Sequence, residues 1–285
     1  MTVLYRKIFM TLIGLIAGLA SWGAIEILLS YSFLISRHLV WNSLAGAAMG
    51  LIFGFFFGSA EGIMFSDIKR SIRGGLAGAG LGLAGGIGAV ILAQGLLYWI
   101  GNTELLASSF TDSFIFPLSR ALGWSLLGMI IGSVDGIRRG SGKRIGIGIS
   151  GGFIGGLLGG LLLEFLTGVW TNSYPARGIG IVVLGVGIGL FFTIFVYSRA
   201  YGIIRILTGA LRGKDYLLIT RKTRIGPSMG SDISLGDYAG VIKNHAVLTA
   251  NRDGVIIKDN KGVVLVNDQP VTEYELKYED VIQIG

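Results

Sequence analysis

Four stretches of the chain, residues 39–60, 74–101, 145–163 and 178–198, contain no charged residue, and each runs for 19 to 28 residues. A helix rises 1.5 Å per residue, so roughly 20 apolar residues span the hydrocarbon of a bilayer. Two further runs are interrupted only lightly, 8–36 by Glu26 and 114–134 by Pro117 and Arg120 near its start. Proline there is compatible with the first turn of a helix. A segment in lipid must satisfy its own backbone hydrogen bonds, which makes each of these runs helical. The pattern predicts an α-helical membrane bundle of six transmembrane helices, at 8–34, 40–63, 74–100, 115–137, 145–170 and 177–200. Arg6 and Lys7 before an apolar stretch also fit a secretory signal. That stretch is too long, and no small-residue cleavage site follows, so it is expected to stay as an anchor.

The composition breaks near residue 204. Residues 1–204 hold 13 Lys+Arg, 7 Asp+Glu and 39 of the 48 glycines, whereas residues 205–285 hold 11 Lys+Arg and 10 Asp+Glu. The expected division is a membrane part at 1–204, a basic juxtamembrane linker at 205–214 and a water-soluble domain at 215–285. With the N-terminus in the cytoplasm, 13 basic residues fall on the inner side: Arg6, Lys7, Lys69, Arg70, Arg73, Arg138, Arg139, Lys143, Arg144, Arg199, Arg205, Arg212 and Lys214. Only Arg37, Arg120 and Arg177 flank the outer ends. This bias predicts a multi-pass protein of a plasma or inner membrane with both termini cytoplasmic. Arg205, Arg212 and Lys214 are expected to lie against anionic lipid.

The membrane part repeats. Shifted by 74 residues, 54–86 matches 128–160 at 13 of 33 positions, including Gly58-Ser59 with Gly132-Ser133 and Lys69-Arg70 with Lys143-Arg144. Glu61 meets Asp135 in this alignment, and a weaker third copy runs from Gly18 to Glu26 against Gly156 to Glu164. The expectation is three repeated helical hairpins of like orientation. Glycines recur every fourth residue at 46–62, 74–86 and 148–160. Such spacing puts them in a stripe on one helix face, where two backbones can approach closely. The competing functional reading is a stripe that lines a narrow path.

Four carboxylates, Glu26, Glu61, Asp135 and Glu164, lie within the predicted helices. Burying an acid in a membrane costs a few kcal/mol, so such groups face the bundle interior, water or a basic partner. They are candidate ion-site or structural acids, with Lys69–Arg70 and Arg138–Arg139 as nearby bases for Glu61 and Asp135. Cysteine is absent, and His38 and His245 stand in unlike contexts, so no metal site is expected. No cofactor and no enzymatic activity are expected, since no nucleophile–base pair or phosphate-cradling loop occurs in a suitable context. Six of the seven units of net positive charge belong to the membrane part, so no nucleic-acid partner is expected.

Beyond residue 215 the hydrophobic period becomes two. Strands are predicted at 216–220, 232–235, 246–249, 255–258, 263–266 and 281–284, separated by Gly-, Pro-, Asn- and Asp-rich turns, the signature of a β-sandwich. Five blocks, Arg224-Ile225-Gly226, Ser231-Asp232-Ile233-Ser234-Leu235, Lys243-Asn244-His245-Ala246, Val266-Asn267 and Val281-Ile282-Gln283-Ile284-Gly285, together resemble a forkhead-associated (FHA) domain. The resemblance covers about a quarter of the chain and does not extend to the helical part. It implies an all-β sandwich that reads phosphothreonine through loops at one end, with one more strand after the last block. Where the family carries an arginine after the glycine, Pro227 stands here, and Ile242 replaces its serine. Phosphate recognition uses a guanidinium fork or several convergent donors. Two alternatives remain at this point: a substitute phosphopeptide or partner site built from Ser228, Lys243, Asn244, Asn260 and Lys261, or phosphate-independent protein contact.

Two functions are therefore expected to compete. One is a membrane-anchored signalling or scaffold protein that presents an FHA-like interaction domain to a cytoplasmic, threonine-phosphorylated or unmodified partner, within a larger membrane assembly of other subunits or of itself. The other is a channel or transporter component regulated by that domain.

Overall fold

The computed structural model describes residues 3–34, 37–64, 66–101, 116–138, 140–169, 173–227, 231–236, 238–251, 254–260 and 262–285. The chain divides into two compact units, Val3–Val196 and a second that begins at Tyr197.

The first unit is helical: α1 (Val3–Ser30), α2 (His38–Met64), α3 (Ile68–Gly101), α4 (Phe116–Arg138), α5 (Gly142–Val169) and α6 (Ser173–Ser198). By length and composition, five of them are apolar enough to cross a membrane. The exception is α4, which carries Arg120, Asp135 and Arg138. Helix α3 starts six residues before the charge-free run predicts. A charged residue ends an apolar run without ending a helix, and Asp67 caps α3 by accepting the Arg70 amide at 2.9 Å.

Glycine sets how the helices meet. A Cβ on Gly50, Gly54 or Gly58 of α2 would overlap the carbonyl oxygen of Gly82, Gly78 or Gly74 of α3. Gly128 and Gly132 of α4 stand in the same relation to Gly152 and Gly148 of α5. Two of the three contacts, Gly54–Gly78 and Gly58–Gly74, thus recur 74 residues on, and so does the turn between the helices. Asp67 N–H donates to Gly62 O and Ser66 N–H to Ile63 O; Ser141 donates to Gly136 O and Gly140 to Ile137 O. Both turns are closed by a left-handed residue, Ser66 at φ 58° and Gly140 at φ 59°, which is the Schellman ending of a helix.

The third close pair differs from the expected third hairpin. It joins the ends of the helical unit: Gly185 of α6 meets Gly14 of α1, and Gly189 meets Met10. Helix α6 corresponds here to α4, 57 residues earlier, and α1 to α5. The matched sequence spans the α2–α3 turn, so the pairing that repeats is even helix with following odd helix, and α6 finds its odd partner only at the start of the chain. Equivalent positions share the core. Phe53, Leu127 and Leu184, with Ala89, Leu163 and Ile25, belong to one buried cluster.

Among the described residues the second unit is a sandwich of ten strands: β1 (Gly202–Arg205), β2 (Asp215–Leu218), β3 (Lys222–Gly226), β4 (Ile233–Ser234), β5 (Ala246–Ala250), β6 (Val255–Asp259), β7 (Val264–Val266), β8 (Gln269–Pro270), β9 (Glu273–Leu276) and β10 (Ile282–Ile284). One layer runs β4-β3-β5-β6-β9, and the other consists of two pieces, β1-β2 and β10-β7-β8. Leu218, Ile225, Leu248, Ile257 and Val264 fill the space between them. Residues 205–214, expected as a linker, are folded into this unit. Ile206 N–H donates to Lys214 O and Gly213 N–H to Ile206 O. Arg205 grips Asp215 through two bonds of 2.8 and 3.1 Å, so its charge is matched within the hairpin.

The turn after β7 places Asn267 and Asp268 at φ 52° and 65°, the geometry of a two-residue hairpin. Asn267 Nδ2 donates to Asp280 Oδ1, and the Lys277 amide donates to Asp280 Oδ2 at 2.7 Å. These two donors hold the Asp280 carboxyl below its ordinary value. A carboxyl with a depressed folded-state pKa contributes stability above its unfolded pKa and loses it as pH falls through the folded value. Urea unfolding of this unit is therefore expected to become easier as pH falls below the ordinary carboxylate range, and Asp280→Asn to flatten that dependence.

Candidate functional site

Three of the five partner-site residues named from the sequence come together at one end of the sandwich. Lys243 and Asn244 lie in the loop before β5, and Asn260 follows β6. Asn260 Nδ2 donates to the Asn244 carbonyl at 3.1 Å, which ties the two loops. Asn244 turns the chain at φ 54°, a conformation asparagine tolerates better than most residues. Ser228 and Lys261 lie outside the described residues.

His245 is the clasp. Its ring is 2% exposed, its Nδ1 accepts the Ile242 amide at 3.2 Å, and its Nε2 lies 3.0 Å from the Val263 carbonyl. A carbonyl cannot donate, so Nε2 carries the proton and the ring is neutral with Nδ1 as acceptor. Gly262 lies so close to the ring that a Cβ there would overlap it. The third loop joins at Gly226, where a Cβ would stand 3.1 Å from the Asn244 nitrogen. His245→Ala removes both bonds and leaves a cavity under both loops. The expected cost is about 2–4 kcal/mol, read as a lower unfolding midpoint and as faster amide exchange at 242–245 and 262–264.

The clasped loops expose aliphatic surface. Ile242 is 43% and Val263 69% exposed, on opposite sides of the same imidazole. Lys243 and Asn244 are exposed beside Ile242, and the Lys243 ammonium has no ion-pair or hydrogen-bond partner among the described residues. Asp259 is exposed at the end of β6. The sequence marked Ile242 as a lost hydroxyl, but its exposure could not be read from a pattern of alternation, because it lies in a loop.

The four acids of the helical unit do not converge. Each has an arginine: Glu61 with Arg70 at 3.0 Å, Asp135 with Arg144 at 3.1 Å, Glu164 with Arg120 at 3.2 Å and Glu26 with Arg177 at 3.0 Å. Glu26 also accepts the Trp22 indole N–H. The Glu61 and Asp135 pairs span equivalent turns, while the Glu164 and Glu26 pairs join equivalent helix ends. Arg138, expected near Asp135, instead donates to the Gly58 carbonyl at 2.9 Å and stitches α4 to α2. No group of three His, Cys, Asp or Glu side chains comes together among the described residues.

Residues 205–285 match a family described as the cytoplasmic domain of an inner membrane component of T3SS, an FHA-like domain family. The C-terminal region is thus FHA-like, as the five sequence blocks imply. No curated protein matches the chain.

Proposed function

We propose that this chain is a structural component of a membrane assembly, anchored by its helical unit and engaging a protein subunit through its FHA-like domain. The observation that carries this reading is the clasped loop end, built on a domain similar to the cytoplasmic domain of an inner-membrane secretion component. The loops are held in place by His245 and Asn260, as a docking surface requires if it is not to lose ordering entropy on binding. In this reading all six helices cross the membrane. Helix α4 spans because its Asp135 and Arg120 are matched by Arg144 and Glu164 of α5. The glycine pairs supply the close contact that holds helices in lipid, and three related helix pairs make up the bundle. The basic residues favour a cytoplasmic position for both termini and for the domain.

The channel alternative has less support. Phe53, Leu184 and Ile188 are fully buried where the helices meet, and the four acids that would line a path are engaged by arginines.

The test is purification of the full chain from its native membrane in mild detergent, alongside a version lacking 202–285. Defined membrane subunits are expected to co-purify with the full chain and to be lost with the deletion. Equal recovery from both would refute a role for the domain, and a C-terminal tag reached by protease only from outside intact cells would refute the orientation.

A further inference from the structure

We propose that the Ile242–Val263 end of the sandwich docks an unphosphorylated protein segment that places an aliphatic side chain between these two residues and a carboxylate on Lys243. This deepens the proposed function and rests on its assignment of the loop end as the docking surface.

Three observations point the same way. First, the surface is apolar where a phosphate reader needs donors. Ile242 and Val263 are exposed by 43% and 69%, and Pro227, at the end of the neighbouring loop, has no backbone N–H to offer. Burying two such side chains against an aliphatic partner removes apolar area from water, the main favourable contribution at the centre of an interface.

Second, the surface is ready-made. The backbones of Ile242 and Val263 are fixed through one histidine ring, and Asn260 spends an amide hydrogen on the Asn244 carbonyl. One of its two amide hydrogens is therefore committed to the loop structure.

Third, the charges suit one carboxylate better than a phosphate dianion. Lys243 is a single ammonium without a partner among the described residues, whereas Asp259 is an exposed carboxylate at the end of β6, in register with Ala246. Among the described residues, a dianion gains one cation and meets one anion at this loop end. A monoanion held on the Ile242 side pairs with Lys243 and keeps its distance from Asp259.

The experiment uses the full chain in lipid nanodiscs, titrated with three sets of synthetic peptides. The sets are Asp/Glu next to Leu/Ile, the same backbones with phosphothreonine in place of the acid, and the same backbones with neither. The acidic-aliphatic set is expected to bind and to perturb the amide signals of 242–244 and 263. Ile242→Ser and Lys243→Glu, both at exposed positions, are expected to weaken that binding at least about tenfold without changing the unfolding midpoint. Binding of the phosphothreonine set alone, binding by no set, or binding indifferent to both substitutions would overturn the proposal. If membrane subunits co-purify with the two variants as they do with the parent, and are lost only on deletion of 202–285, this inference fails while the proposed function stands.

Discussion

Gly82→Leu is expected to destroy the packed helical unit, while Gly80→Leu, two residues along the same helix, leaves it intact. At Gly82 any side chain meets the Gly50 carbonyl, with the Gly54 Cα 3.1 Å from the Cβ position. Both obstacles are backbone, so neither can turn aside as a flexible side chain would. Relief requires α2 and α3 to part along their whole glycine row, which also loosens Gly46–Gly86 and Gly54–Gly78. Overpacking a core costs about 1–3 kcal/mol where side chains can yield, and a clash between backbones is expected to exceed that range. At Gly80 a Cβ meets nothing within 4 Å, and leucine is the better helix former. Size-exclusion monodispersity and the thermal midpoint in detergent distinguish the two variants. Equal behaviour would mean that the glycine row does not bear the packing.

Arg177→Ala is expected to give the second large loss. Glu26, 19% exposed at its side chain, accepts two bonds from the Arg177 guanidinium at 3.0 and 3.1 Å and one from Trp22. Removing the arginine strands a carboxylate with a single indole donor. Breaking a buried pair costs about 3–5 kcal/mol. The Arg177 side chain is 31% exposed, so solvent and headgroup screening lower the expectation to roughly 2–3 kcal/mol. Glu26→Gln with Arg177→Ala is expected to recover most of this, because the uncompensated charge is gone. A double variant no better than the single one would mean that the arginine acts through its packed stem and not through its charge. The same variants test the path alternative. If Glu26 were a cation site, parent protein in vesicles would conduct and Glu26→Gln would not.

The helices were legible because a long apolar run in lipid has helix as its one solution. Their ends were not, because Asp67 caps α3 and Lys69, Arg70 and Arg73 belong to a helix that hydropathy alone would start later. Nor did hydropathy name partners. Arg138 stands three residues from Asp135 and Arg144 nine, yet the turn between α4 and α5 brings the more distant one into contact. In the sandwich, β5 and β7 alternate clearly, with burial at Ala246, Leu248 and Ala250 and at Val264 and Val266. Strand β3, with Lys222 and Arg224 on its outer face, and β9, with Glu273 and Glu275, carry too much charge to stand out. Strand β1 was hidden because it follows a membrane-type helix after three residues and shares its apolar composition. The loop end was nominated through residue types at family positions. What it displays depends on how two loops rest on one ring, and local pattern does not encode that.

The partnership of α6 with α1 has a consequence for how the protein is made. A nascent chain can close α2 on α3, and α4 on α5, as each emerges from the ribosome, because those partners are neighbours in time. Helix α1, with Gly14 and Gly18 awaiting Gly185 and Val182, is made before the other five helices, yet its mate is the sixth. During synthesis its small-residue face is open to lipid or to the insertion machinery. The helical unit is completed only by the helix that immediately precedes the sandwich, so the FHA-like domain emerges as that unit closes.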